Sequence, residues 1–259
     1  MVKTASLIPE FEGKTALITG ASRGIGEAAA VALAAAGVRH FVLHYNSHRQ
    51  GIDDLVKKLG DSVSCQVIQA DLSDEAGIES FLGDLRKLNP RVDFLINNAG
   101  FLVQRAKLAE STAQLWDRVM NLNAKSAWFI TQAIVPGMIE RGGGVIVNLS
   151  SIAARNGGGV GAAIYAASKA TVACFTKGLS RELAPQGIRI NAVSPGTVDN
   201  HFHEVFSTKQ MLDSMLASTP AGRLGVNEEV ADVIVFLCSN AARYVHGQTI
   251  EINGGMFMV

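Results

Sequence analysis

Along the chain, short apolar runs rich in β-branched residues alternate with longer stretches whose apolar residues recur every three or four positions. The runs predict strands over 15–19, 40–45, 64–70, 92–97, 145–149, 188–193 and 249–252, and the periodic stretches predict helices over about 24–36, 50–60, 74–88, 112–139, 164–184 and 228–238. Strands that alternate with helices call for a parallel sheet covered on both faces, because each return to a parallel neighbour needs a crossover of helical length. The fold class expected is therefore α/β, one doubly wound sheet in a single domain over 1–259. The glycine patches at 142–144 and 157–161 are short and flanked by strand or helix patterns, so they read as functional loops and not as joints between domains. In such sheets ligands lie beyond the strand C-termini where the strand order reverses, which makes the residues just after each strand the first candidates.

The first of these positions carries Thr19-Gly20-Ala21-Ser22-Arg23-Gly24-Ile25-Gly26, between an apolar strand and an Ala-rich helix. Gly20, Gly24 and Gly26 lack a Cβ, so the backbone can turn sharply towards a pyrophosphate while the helix presents unpaired N–H groups and its positive dipole end. A glycine triplet alone also fits an ordinary tight turn; the strand before it and the helix after it point to a Rossmann-type dinucleotide site. A unit selective for NAD would place an acid about 20 residues further on, at the end of the second strand, to accept the ribose hydroxyls. Asn46 stands there, and no Asp or Glu occurs from 38 to 52, whereas Arg39, His44, His48 and Arg49 do. Arg23, with Ser47, His48 or Arg49, could hold a 2′-phosphate by charge-assisted hydrogen bonds, so NADP(H) is favoured over NAD(H). Arg39 and His40 read as solvated loop charges.

Composition narrows the classes further. The residues are 48% hydrophobic and the net charge is zero, which fits a large aliphatic core and argues against a nucleic-acid partner. Cys65, Cys174 and Cys238 are odd in number and lack metal-ligand spacing, as expected of buried or passive thiols in a reducing compartment. Residues 1–11 lack the apolar run of a signal peptide, and no window approaches the ~18 consecutive apolar residues of a membrane span. The expectation is a soluble, cytoplasmic protein without a membrane partner.

Tyr165 and Lys169 stand at i and i+4 and share one helix face. An isolated pair of this kind is usually solvated; beside a dinucleotide turn it reads as a proton donor with a tuning cation. Moving a phenol from pKa about 10 towards neutrality takes roughly 4 kcal/mol. A lysine charge about 5 Å away contributes about 3 kcal/mol at an effective dielectric near 20, so Lys169 is expected to be nearly sufficient.

Four motifs follow the glycine turn in fixed order: Asn97-Asn98-Ala99-Gly100, Ser150-Ser151, Tyr165-Ala166-Ala167-Ser168-Lys169 and Pro195-Gly196. Together they resemble the short-chain dehydrogenase/reductase family, and within it the 3-oxoacyl carrier-protein reductase type. With Asp71, the 220–225 segment, Gly247-Gln248 and Asn253-Gly254-Gly255, the resemblance spans essentially the whole chain. It implies NADPH-dependent, reversible reduction of a small-molecule ketone to a secondary alcohol. Tyr165 would be the acid, Lys169 its tuner and a ribose ligand, and Ser151 the group polarising the carbonyl, with Ser150 left to satisfy the strand end. Asn121 would bend the long helix and hold a relay water, with Asn123 as near competitor. The cofactor would meet Gly20, Ser22, Arg23, Gly24, Ile25, Gly26, Asn46, Ser47, Asp71, Leu72, Asn98, Ala99, Gly100, Tyr165, Lys169, Pro195, Gly196 and Val198. Asp71 would take the adenine amino group or, alternatively, cap the helix near Ser73 and Asp74.

Two departures from the family pattern stand out. The Ser151–Tyr165 segment is one residue longer than usual, an excess expected to bulge within 157–161, and Asn200 replaces a threonine that often touches cofactor. A substrate lid is expected within about 197–224; His201-Phe202-His203-Glu204 inside it reads as pocket wall, since no distant third metal ligand is evident. The resemblance also implies a homotetramer, with a dimer as the alternative, built on the long helices bearing Trp116, Trp128 and Phe175 and on the segment near Met256. Arg141 follows Glu140 and Arg181 precedes Glu182, so the charges that could dock an acyl carrier protein are locally offset and a free ketone is preferred over a carrier-bound one. The competing readings are an NAD-dependent alcohol dehydrogenase and a non-catalytic dinucleotide-binding scaffold; intact Ser151, Tyr165 and Lys169 argue against the scaffold.

Overall fold

In the computed structural model, which describes residues 11–259, the apolar runs pair as seven parallel strands. These are β1 (Thr15–Ile18), β2 (His40–Tyr45), β3 (Ser64–Gln69), β4 (Phe94–Asn97), β5 (Gly144–Leu149), β6 (Ile188–Pro195) and β7 (Thr249–Ile252). Their order is β3-β2-β1-β4-β5-β6-β7. The helices are α1 (Gly24–Ala35), α2 (Arg49–Leu59), α3 (Glu75–Leu88), α4 (Ala113–Met120), α5 (Ser126–Glu140), α6 (Ala153–Asn156), α7 (Ala163–Leu183), α8 (His201–Phe206), α9 (Lys209–Ala217) and α10 (Asn227–Cys238). The expected absence of a leader in the first ten residues lies outside the described residues.

The doubly wound architecture follows from strands that are apolar on both sides, since successive strand side chains point to opposite faces. Ala16, Ile18, Phe41, Leu43, Ile96 and Val147 pack on one face beneath α1, α2 and α10. Leu17, Val42, Leu95, Ile146 and Ile190 pack on the other beneath α3, α5 and α7. No strand can slip by one residue without exchanging these two sets.

Two predicted elements differ. The helix expected over 112–139 is interrupted by a π-helical turn, Asn121–Lys125. Asn123 Nδ2 donates to Val119 O at 2.9 Å and Ser126 Oγ to Leu122 O at 2.7 Å, so side chains take carbonyls that the helical ladder would use. The lid segment contains two helices that the pattern did not reveal. Each has a side-chain cap, Asn200 Oδ1 accepting from Phe202 N at 3.1 Å and Thr208 Oγ1 from Met211 N at 3.3 Å.

All three cysteines are free, with Cys238 buried, Cys65 half-buried and Cys174 exposed. No helix among the described residues is long and apolar enough to cross a membrane. Trp116 and Trp128 remain 48% and 41% exposed, and Trp128 packs edge-on against Phe175 with ring centres 5.7 Å apart.

Candidate active site

The strand order reverses between β1 and β4, and the turns that leave these two strands are tied to each other. Thr19 Oγ1 accepts from Asn98 N at 3.0 Å and Ala99 N at 2.9 Å, while Asn98 Nδ2 donates to Thr19 O at 2.8 Å and Gly20 O at 3.0 Å. Gly20 and Gly24 have φ of +67° and +63°, values that a side chain would strain. A Cβ on Gly26 would lie 2.3 Å from Gly20 O, so this third glycine is required for space. Arg23, where α1 begins, provides no side-chain cap, which leaves first-turn N–H groups available to an anion.

His44, one of the basic residues counted near the end of the second strand, is buried there and not exposed. It sits at an inward position of β2 against the Phe81 ring, 2% exposed. Its Nδ1 accepts from Gly20 N at 3.1 Å, and its Nε2 therefore donates to Ala70 O at 3.0 Å. Burial pulls its pKa down to about 4, so it is a neutral clamp joining the glycine turn to the end of β3. Beyond β2, Asn46 and Ser47 are exposed and line a cleft of about 810 Å³ together with Arg23 and His48. Arg49 turns away: its Nε contacts both Asp53 carboxylate oxygens at 2.9 Å, and it does not line the cleft. Asp71 does line it, with Oδ1 accepting from Ser73 N at 2.9 Å, while the α3 cap falls to Asp74, which accepts from Gly77 N at 2.7 Å.

At the other end of the cleft, α7 carries Tyr165 and Lys169. The Lys169 ammonium lies 5.9 Å from the Tyr165 ring centre and donates to Leu149 O, at the end of β5, at 2.7 Å. Burial lowers Lys169 to about 8 and raises the Tyr165 phenol to about 12; the Ser151 hydroxyl beside the phenol opposes that rise. The expectation that Lys169 alone nearly suffices is therefore corrected, because desolvation outweighs the lysine charge at the phenol. The ring is partly open to the cleft. Ser150 Oγ donates to Lys169 O at 3.0 Å, the structural task expected of it. Within the Ser151–Tyr165 segment, where a bulge was expected, Gly157, Gly158 and Gly161 all adopt positive φ.

Every sequence-predicted cofactor residue lines this one cleft except Gly26, which acts through space, and so do Ser151, Tyr165 and Lys169. Asn121 does not: its Nδ2 reaches Ser73 O at 3.4 Å. Asn123 is the asparagine placed by the lysine. Its Oδ1 and Lys169 Nζ lie 2.6 and 2.7 Å from the point where a Cβ on Gly100 would sit, and Oδ1 also accepts from Phe101 N. The π turn shifts the helical register between 121 and 123, which spacing alone did not disclose. Asn200, in the place of the expected threonine, is committed to capping α8 and donates to Asn227 Oδ1 at 2.9 Å. His201 pairs with Glu204 and His203 with Ser207, and Phe202 packs 5.5 Å from the Tyr165 ring centre. Sequence reasoning missed the His44 clamp; a polar residue at an inward position of an apolar strand was the signal for it.

These residues fit a dinucleotide. The glycine turn and uncapped helix suit a pyrophosphate, and Asp71 is the one carboxylate among the described cleft residues, against the cations Arg23, Arg105, Arg118 and Lys169. Comparison with known proteins agrees. A family model described as enoyl-(acyl carrier protein) reductase matches residues 20–257. The 3-oxoacyl-[acyl-carrier-protein] reductase of Escherichia coli is 38% identical over 253 residues, covering 96% of this chain and 99% of its own, and that of Aquifex aeolicus is 35% identical over 250 residues with the same coverage. Among solved structures, a protein provisionally named as an NAD(P)-dependent gluconate 5-dehydrogenase from Beutenbergia cavernae, with NADP bound at low occupancy, superposes with a TM-score of 0.88 at 33% identity, covering 97% of this chain and 99% of that one. A protein provisionally named as a gluconate dehydrogenase from Agrobacterium tumefaciens gives 0.88 at 32% identity, with 98% and 99% covered.

The His44 clamp makes stability depend on pH. Its pKa is about 4 in the folded chain against 6.5 for a solvated imidazole, so folding favours the neutral ring and its contribution is complete above about 6.5. As pH falls towards 4 the unfolded chain takes up a proton that the folded one refuses, which removes up to about 3 kcal/mol. Denaturant titrations from pH 7 to 4 should show this loss in the wild type and a flatter dependence in His44→Gln. The variant should also lose about 1–3 kcal/mol at pH 7, because Gly20 N loses its acceptor. Parallel pH slopes in the two proteins would contradict the assignment.

Proposed function

The chain belongs to the short-chain dehydrogenase/reductase family and is an NAD(P)-dependent oxidoreductase acting on CH–OH and carbonyl groups, and from that premise we propose that it reduces a free ketone to a secondary alcohol with NADPH, reversibly. Ketone, NADPH and a proton give alcohol and NADP⁺. The observation that carries the reading is the meeting of the Ser151 hydroxyl and the Tyr165 phenol at the Lys169 end of the cleft.

When bound, the nicotinamide supplies hydride to the carbonyl carbon, or accepts it in the reverse direction. Ser151 donates a hydrogen bond to the carbonyl oxygen and fixes its position. The Tyr165 phenol, held protonated by its surroundings, gives its proton to that oxygen as alkoxide character develops, since an alkoxide is the stronger base. Lys169 stabilises the phenolate left behind and binds a ribose hydroxyl. Its other neighbour, Asn123, takes the relay role that the resemblance had suggested for Asn121: the space between Asn123 Oδ1 and Lys169 Nζ suits a water that re-protonates the site. NADPH preference is supported by Arg23, which has no ion-pair partner among the described residues, and by Asn46 in place of an acid. The same premise supports a cytoplasmic location and a homotetramer, with a dimer as the alternative.

Tyr165→Phe should lower turnover at least about 10³-fold while NADPH still binds in fluorescence titrations. Asn123→Ala should reduce kcat more than tenfold and Asn121→Ala by less than about threefold; the opposite ranking would return the relay to Asn121. Arg23→Ala should weaken NADPH binding by about 10- to 100-fold and leave NADH within about threefold, from the loss of a charge-assisted contact. Equal losses for both cofactors would remove the phosphate assignment. Light scattering at micromolar protein should give about four times the 27.4 kDa chain mass, and a strict monomer would refute the assembly.

A further inference from the structure

The loop after Gly100 is built under strain. Val103 has φ of +67°, a region that β-branched residues avoid, and Gln104 N donates to Leu102 O across it at 2.8 Å, closing a tight three-residue turn. Such strain persists where surrounding structure demands it and gathers at ligand sites. The turn delivers Arg105 to the cleft. Its Nε donates to Phe206 O of α8 at 2.8 Å and its Nη1 to Val160 O of the glycine-rich loop at 2.9 Å. Both acceptors are neutral, no ion pair to Arg105 forms among the described residues, and Nη2 has no partner among them. Burial holds the guanidinium below the usual arginine range with no acid compensating it, and its charge helps depress His203, which also lines the cleft.

A continuous run of aromatic rings leads from the reacting end to this cation, with Phe101 and Phe202 forming its cleft-facing wall and Phe206 packed behind them. Ring centres are 5.5 Å apart from Tyr165 to Phe202, 5.2 Å from Phe202 to Phe206 and 4.6 Å from Phe206 to Phe101, and the Phe206 carbonyl is the group that Arg105 holds.

We propose that Arg105 is the carboxylate-recognising residue of the substrate site, so that the ketone reduced here is an oxo acid with an apolar body. The inference rests on the carbonyl-reductase reading above. A fixed guanidinium with free N–H groups suits a carboxylate, and that contact would offset the desolvation of an otherwise uncompensated cation. The aromatic wall suits a hydrocarbon chain better than a polyhydroxylated one, whose hydroxyls would lose water without replacement partners. A carrier thioester presents no carboxylate at this end and gains nothing from Arg105.

The test uses the full-length protein with NADPH and straight-chain 3- to 6-oxo acids, their methyl esters, and 5-oxogluconate as the polyhydroxylated acid. Wild type should prefer an oxo acid to its ester by about tenfold or more in kcat/KM, and to 5-oxogluconate by a similar factor. Arg105→Gln should collapse the acid-to-ester ratio, whereas Arg105→Lys should keep part of it. Equal activity on acid and ester in wild type, or a parallel fall on both in Arg105→Gln, would overturn the proposal and leave Arg105 as a strap between lid and loop. Preference for 5-oxogluconate would overturn the apolar body. Melting temperatures with NADP⁺ and each compound separate the two readings without turnover. A shift specific to the acid and lost in Arg105→Gln, with no reduction of any ketone, would sink the reductase reading and keep the carboxylate site. The absence of both acid preference and acid-specific shift would sink the carboxylate site, and the unliganded melting temperatures show whether each variant folds.

Discussion

The hydroxyl of Thr19 accepts two backbone N–H groups from the turn after β4 while the Asn98 amide reaches back to two carbonyls of the turn after β1. This reciprocal tie sits where the sheet's strand order reverses, and the rest of the site is measured from it. It sets the glycine turn against Asn98, Ala99 and Gly100. Gly100 in turn faces Lys169 and Asn123 with no room for a side chain. The glycine turn, Gly100 and the Lys169–Asn123 pair are thus coupled through backbone polar groups that would otherwise be unsatisfied donors and acceptors. His44 extends the tie to the end of β3 as a buried neutral ring.

Charge in the cleft is governed by desolvation more than by pairing. Burial moves Tyr165 up and Lys169 down, in each case favouring the neutral form. The phenol is therefore held protonated beside a lysine that is charged only up to about pH 8. The cations spaced along the cleft, Arg23 at one end and Arg105 at the other, lack carboxylate partners among the described residues and leave the field there positive.

The first helix of the 200–217 segment is tied down at both ends. Asn200 caps α8 and ties it to Asn227 at the start of α10, close to the glycine turn, while Arg105 straps the far end of α8 to the glycine-rich loop before Tyr165. The helix that carries Phe202 and Phe206 is therefore anchored at its start to α10 and at its end to the glycine-rich loop.

Strand and helix alternation, the glycine turn, the Tyr165–Lys169 pair and the positions after strands were legible in the sequence because each depends on local spacing: a period of two or of about 3.6, a glycine without Cβ, two side chains one helical turn apart. The missing acid near Asn46 was legible for the same reason. Which asparagine faces Lys169 was not, because a π turn alters the register of the helix that carries both, and that turn is stabilised by Asn123 bonding to Phe101 across the fold. The sign of the Tyr165 shift was equally hidden, since a pair read along the sequence shows the lysine charge but not the burial that outweighs it. His44 and Arg105 carry the same lesson: their residue types were visible, but whether a cation is solvated, paired or held open towards a cleft is decided by partners 26, 55 and 101 residues away, which only the tertiary structure brings into contact.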